Sequence, residues 1–251
     1  MRLKRYKKEF EHSYTMGVSP TIELLKAKPE LVLKVVSHSK LAPGEGLQRI
    51  QAYVDKHGIP YEQNDRVIER LWPKRDCFVV GAFSKYASEL DAGTDHVVLV
   101  NPSNAGNLGT VIRTMLAFGF RDLAIIQPAA DIFSPSTIRS SMGALFSIRF
   151  EHFAGIAEYT TRHAARRLYP FMTAGRSILE KTTFTRPYSI LFGSESSGLP
   201  ESYEALGQSV RIAQSADVDS LNLAITTGIA LHHLHRSRHA EVENSRHLSQ
   251  A

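Results

Sequence analysis

Apolar and polar positions alternate in two periods along this chain, and the changes of period mark its elements. Val97-Val98-Leu99-Val100 is a short continuous apolar run of the kind that makes a buried strand. A polar, glycine-containing turn follows. Leu108, Val111, Ile112, Met115 and Leu116 then fall at i, i+3, i+4, i+7 and i+8, the spacing of one buried helix face. Arg113 lies off that stripe. The turn puts Asn104 and Arg113 near the carboxyl end of the strand, where open α/β sheets bind ligands.

The same periodicities predict two successive α/β series. In the first, a short helix spans Ile22–Ala27, with Pro20 in its first turn and Ser19 or Thr21 as caps. Leu31–Ser37 is a strand, and Leu47–His57 an amphipathic helix ended by Gly58. Ile59–Glu62 is extended, Asp65–Trp72 helical and Cys77–Ala82 a strand. This alternation fits a small sheet of three or four strands, over residues 17–86. Residues 1–16 read as a basic arm, 87–96 as a polar linker and 238–251 as a polar tail. Between them, residues 97–237 alternate strands (Val97–Val100, Leu123–Ile126, Phe146–Phe150, Leu168–Met172, Tyr188–Phe192, Ser209–Ile212) with helices (Asn107–Ala117, Ser136–Met142, Ile156–Arg166, Glu201–Leu206, Leu221–His235). The expected fold is α/β: a mainly parallel sheet with helices on both faces, preceded by a small α/β domain.

Composition narrows the class. In 251 residues, 43% are hydrophobic, enough for a real core, yet no apolar run is long enough to span a membrane. The basic start MRLKRYKKEF has no apolar segment after it, so no secretory signal is expected. A single cysteine, Cys77, precludes an internal disulfide and points to a reducing, cytoplasmic setting. The net charge of +5 suits an anionic partner, nucleic acid first, with basic residues gathered near the start and at Arg162, Arg166 and Arg167. His232, His233 and His235 sit together, but no cysteine or carboxylate cluster joins them, so no metal is expected.

Three polar stretches carry the candidate chemistry: Asn101–Arg113, Gly193–Pro200 and Asp217–Asn222. Each follows a strand or precedes a helix. Asn101–Arg113 lacks the glycine fingerprint of dinucleotide sites and the Lys-Ser/Thr of phosphate loops. Gly193–Pro200 is superficially similar to the hydrolase elbow Gly-x-Ser-x-Gly, but its central residue is Glu195. Taken together, Asn104-x-Gly106 with Arg113, Gly193-x-Glu195-x-x-Gly198-Leu199, and Val218-Asp219-Ser220-Leu221-Asn222 resemble, in order and spacing, the three motifs of the SpoU/TrmH family of RNA 2′-O-ribose methyltransferases, in the SPOUT superfamily. Ser141-Met142-Gly143-Ala144-Leu145 resembles a further family segment.

The resemblance implies a deep trefoil knot in the carboxyl-terminal part of the sheet, holding S-adenosylmethionine. By position, the cofactor contacts would be Thr173, Gly193, Ile212, Ser220 and Leu221. It also implies a homodimer formed through the knotted domain, a small domain that binds the RNA substrate, and ribosomal RNA ahead of transfer RNA as target. The catalytic set would be Arg113, Asn104, Glu195, Ser220 and Asn222. A ribose 2′-hydroxyl needs positioning and help with its proton, the latter worth roughly 10²–10⁴-fold. A guanidinium stays protonated, so Arg113 is read as a clamp on phosphate and developing alkoxide, oriented by Glu195. One departure stands out. The family's Ile-Pro-Met and glycine are replaced by Ile212-Ala213-Gln214 and Ala216, which bears on cofactor affinity. The alternatives are a base methyltransferase of the same superfamily and an inactive RNA-binding relative.

Overall fold

The structure is a computed structural model that describes residues 3–73 and 76–248, with side chains through residue 238. The chain divides into two compact units. One comprises Met1–Ser88, Asn104–Arg113 and Ala130–Ile148, and the other Glu89–Ser103, Thr114–Ala129 and Arg149–Ala251.

The first unit is built on four strands, β1 (His12–Met16), β2 (Val32–Ser37), β3 (Tyr61–Gln63) and β4 (Val79–Ser84), in the order β1-β4-β2-β3. β4 runs antiparallel to β1 and β2, and β2 parallel to β3. Successive side chains of a strand point to opposite faces. Val36 and Val80 accordingly join one core with Tyr14, Met16 and Ile68, while Val35 and Val79 join another with Ile22, Leu25, Ile50 and Val54. Helices α1 (Val18–Ala27), α2 (Glu45–His57) and α3 (Asp65–Leu71) supply the apolar faces. Gly58 ends α2 at φ 63°, a left-handed position that glycine adopts without penalty.

Two expectations change here. Residues 12–16 are not part of a loose arm. They form β1, because alternation places Tyr14 and Met16 inward, and Leu3 is buried as well. The first helix begins earlier, at Val18, with Gly17 before it and no side-chain cap from Ser19 or Thr21. Thr21 instead donates to the Gly17 carbonyl and bonds Thr15.

The second unit holds a five-stranded parallel sheet: β5 (His96–Val100), β6 (Asp122–Ile126), β7 (Arg149–Phe153), β8 (Arg167–Pro170) and β10 (Tyr188–Phe192), in the order β7-β6-β5-β10-β8. Its internal strands β5, β6 and β10 are buried at every position. That explains why they read as unbroken apolar runs. A two-residue pair, β9 (Ser177–Ile178) with β11 (Val210–Arg211), is also parallel. The chain passes from β5 outward to β6 and β7, then returns to build β8 and β10 on the other side. This reversal makes a switch point at the carboxyl ends of β5 and β10.

Four helices follow strands or connect them: α4 (Ala105–Ala117), α5 (Pro135–Ser140), α6 (Ile156–Arg162) and α7 (Leu223–Leu248). On α4, Leu108, Val111, Ile112 and Met115 are fully buried as the stripe predicts, and Leu116 is half-buried. Phe146 is not in a strand. It lies in the short 3₁₀ turn Ala144–Ser147, and the strand starts three residues later. α6 stops at Arg162, and Arg166 beyond it is buried rather than part of a solvated basic face. Residues 238–248, expected as a tail, continue α7. No glycine or proline follows Gly228 to break the helix; residues 249–251 of the expected tail lie outside the described residues. Among the described residues no helix is long and apolar enough to cross a membrane.

Candidate active site

Three loops leave the carboxyl ends of β8, β10 and β11 and enclose a cleft of about 320 Å³ within the second unit. Its base is apolar. The Phe171 and Phe192 rings lie 4.8 Å apart, both buried. Thr173, Gly193, Ile212, Ser220 and Leu221, the five positions expected to meet a cofactor, all line it, together with Glu195 and Asp219.

The loop after β10 shows why its spacing is Gly-x-Glu-x-x-Gly. Gly198 sits at φ 65° and donates to the Ser194 carbonyl at 3.1 Å, closing a tight turn. That turn brings the Gly198 carbonyl carbon within 1.9 Å of where a Cβ on Gly193 would stand. Only glycine fits there. Ser194 bonds Ser197, hydroxyl to hydroxyl at 2.8 Å, and accepts from the Ser197 N–H at 3.3 Å. These serines serve the turn, and among the described residues their hydrogen bonds run to one another rather than to a base of the kind a hydrolase requires. Glu195 is pinned differently: it accepts from the Ser103 N–H at 3.0 Å and from the Ser103 hydroxyl at 2.9 Å. Ser103 belongs to the turn after β5. Sequence reasoning passes it over, since nothing periodic links positions 92 residues apart.

The departure from the family pattern has a structural role. The Gln214 amide lies 3.3 Å from the Val218 carbonyl and 3.4 Å from that of Asp219, and donates across the loop that leads to Ser220. A side-chain clasp stands where a proline's rigidity is missing.

Both candidate asparagines cap helices. Asn222 accepts from the Ala224 N–H at 2.8 Å at the start of α7. Asn104, which falls in the first unit, accepts from Gly106 at 2.8 Å and Asn107 at 3.0 Å at the start of α4. Arg113, also in the first unit, is exposed on α4.

At the amino ends of the strands a polar network is buried from Arg166 through His96 and reaches the surface at Asp91. Arg166 donates to Ser189, Ser189 to Tyr159, Tyr159 to His96 Nδ1, and His96 Nε2–H to the Asp91 carbonyl. This run of donors and acceptors closes on a neutral imidazole. Burial above all, with the nearby Arg166 adding to it, brings the His96 pKa down to about 4 against the opposing hydrogen bond to the Asp91 carbonyl. Burial alone would raise the Asp122 carboxyl, but two hydrogen bonds from Arg149 at 2.6 Å hold it below the usual range. Cys77 is buried and its thiol is pushed up by burial, a core position. His232 and His235 pack against Phe118. Among the described residues no three His, Cys, Asp or Glu side chains are grouped to hold a metal.

Fold and cleft define an α/β protein with an open cleft at the carboxyl edge of a parallel sheet, the place where sheets of this kind bind ligands. Residues 95–232 match the model of the SpoU rRNA Methylase family. The chain belongs to that family. It is 30% identical over 155 residues to a 23S rRNA (uridine(2479)-2′-O)-methyltransferase of Streptomyces viridochromogenes, covering 57% of this chain and 52% of that one. It is 24% identical to a 23S rRNA (guanosine-2′-O-)-methyltransferase of Acinetobacter baylyi, covering 90% and 97%. Among solved structures, an AdoMet-bound rRNA methyltransferase from Sinorhizobium meliloti superposes with a TM-score of 0.76 at 26% identity, covering 90% and 88%. The chain spans about half the length of the first curated relatives it matches.

Proposed function

We propose that this protein methylates a ribose 2′-hydroxyl of RNA, ribosomal RNA ahead of transfer RNA, with S-adenosylmethionine as donor. The observation that carries the reading is the cleft whose wall combines Thr173, Gly193, Ile212, Ser220 and Leu221 with the anchored Glu195. Its volume suits a compact small molecule. The absent Cβ at Gly193 lets the Gly198 backbone pack against it and so shapes the wall of the cleft, and the carboxylates of Glu195 and Asp219 suit a ligand with cationic groups. When bound, the cofactor supplies an electrophilic methyl group. Arg113 clamps the adjacent phosphate and stabilises the developing alkoxide, Glu195 orients it, and Ser220 holds target or cofactor. Asn104 and Asn222 fix the loops that carry these groups. The Ile212–Leu221 segment is the part we assign to a trefoil knot, the first unit binds the RNA, and two copies pair through the exposed Ile225 and Ile229 of α7. The setting is cytoplasmic.

Deleting the gene in its host and mapping 2′-O-methyl groups on ribosomal and transfer RNA tests this. Loss of one ribosomal 2′-O-methyl site is expected. Loss of a base methyl group instead would assign the base chemistry, and failure of the purified protein to bind S-adenosylmethionine would leave an inactive relative.

A further inference from the structure

Another cavity, of about 160 Å³, lies wholly in the first unit, where α3 meets the start of β4. It is too small for a cofactor and has room for a single flat heterocycle. Its lining combines the aromatic Trp72 and Phe78 and the apolar Ile68 and Cys77 with the polar His38, Lys40 and Glu69. We propose that this cavity takes one unpaired guanine base of the RNA. The proposal rests on the RNA reading above and names an additional contact on that substrate.

Trp72 is held in place before any ligand arrives. Its indole N–H donates to Asp76 at 2.6 Å. Asp76 in turn accepts two bonds from Arg139, at 2.9 and 3.2 Å, and the Arg139 guanidinium lies 5.4 Å from the Trp72 ring centroid. A fixed aromatic surface beside a cation is the usual platform for a splayed base. His38 is set as firmly. It stands edge-on to Phe78, with centroids 5.6 Å apart, and its Nδ1 accepts from the Lys40 N–H at 3.0 Å. A neutral ring therefore carries its proton on Nε2. That N–H is 3.9 Å from the Glu69 carboxylate, beyond hydrogen-bond reach.

The cavity thus offers a carboxylate acceptor next to nitrogen donors. Guanine presents the complement on its Watson–Crick edge: N1–H and N2–H for Glu69, and O6 for the His38 Nε2–H or the Lys40 ammonium. Adenine presents an unprotonated N1 to the carboxylate, which repels it. Uracil has one N–H between two carbonyls and pairs poorly.

Trp72 is the single tryptophan of the chain, so its fluorescence reports the cavity directly. Single-stranded oligouridines carrying one guanosine, one adenosine or neither should be titrated into the full-length protein. The guanosine-bearing strand should quench Trp72 and bind about tenfold more tightly than the other two. Glu69→Gln, at an exposed side chain, should abolish that difference with unchanged circular dichroism and unchanged S-adenosylmethionine binding. Equal binding of all three strands, a silent Trp72, or a preference that survives Glu69→Gln would overturn the assignment. Methyl transfer to ribosomal RNA in the same preparation separates the two readings. If it persists while Trp72 is silent, only the base pocket fails; if methyl transfer and RNA binding are both absent, the RNA reading fails and the pocket with it.

Discussion

At the scale of residues, what a side chain does is set by its partners. Arg113 is exposed on α4, and the proposed clamp depends on the planar fork of its guanidinium. Arg113→Lys keeps the charge and loses the fork. The methylation rate should fall roughly 10²-fold, with cofactor affinity unchanged by calorimetry; a wild-type rate would sink the clamp. His96 gives a prediction about stability. Unfolded, it titrates near about 6.5; folded, its pKa lies at about 4. Between these values the unfolded chain binds the extra proton, so stability falls as pH drops through this window, by up to roughly 3 kcal/mol. Below it, loss of the Asp122 charge adds to the fall, because that carboxyl is held low in the fold. Urea denaturation at pH 7 and pH 5 measures the effect, and His96→Gln should flatten it.

At the scale of elements, caps and close approaches decide. Asn222 accepts at the start of α7, and aspartate can do the same. Asn222→Asp should keep stability, while Asn222→Ala should lose about 1 kcal/mol in thermal or urea melts. If both variants lose methylation equally, the amide N–H₂ has a chemical role beyond the cap. Gly193→Ala would drive a Cβ into the backbone of Gly198. Such overpacking costs about 1–3 kcal/mol, and the loop after β10 must open to relieve it. S-adenosylmethionine affinity should drop at least several-fold in a protein that remains folded. Elements are also where the sequence is most legible. The α4 stripe and the buried strands β5, β6 and β10 follow directly from local periodicity. β1 escapes that reading because five residues of alternation inside a basic stretch resemble a tail.

For the molecule as a whole, α7 carries two large apolar side chains, Ile225 and Ile229, in contact with solvent in the single chain, 56% and 37% exposed. On the proposed dimer they are covered. Ile225→Asp with Ile229→Asp should shift sedimentation from dimer to monomer and remove methylation, and a monomeric wild type would count against pairing through this helix. The sequence by itself determined the α/β class, the type and approximate place of most strands and helices, and the polar loops that line the cleft. These depend on neighbours two to eight residues away and on loop residue types, and both are written locally. Only the tertiary structure decided that Ser103 holds Glu195, that Arg166 is internal and that Trp72, Asp76 and Arg139 form one clamp. Those pairings join residues up to 92 positions apart. They are fixed by which surfaces pack and which buried polar groups must find partners, a condition no local pattern records.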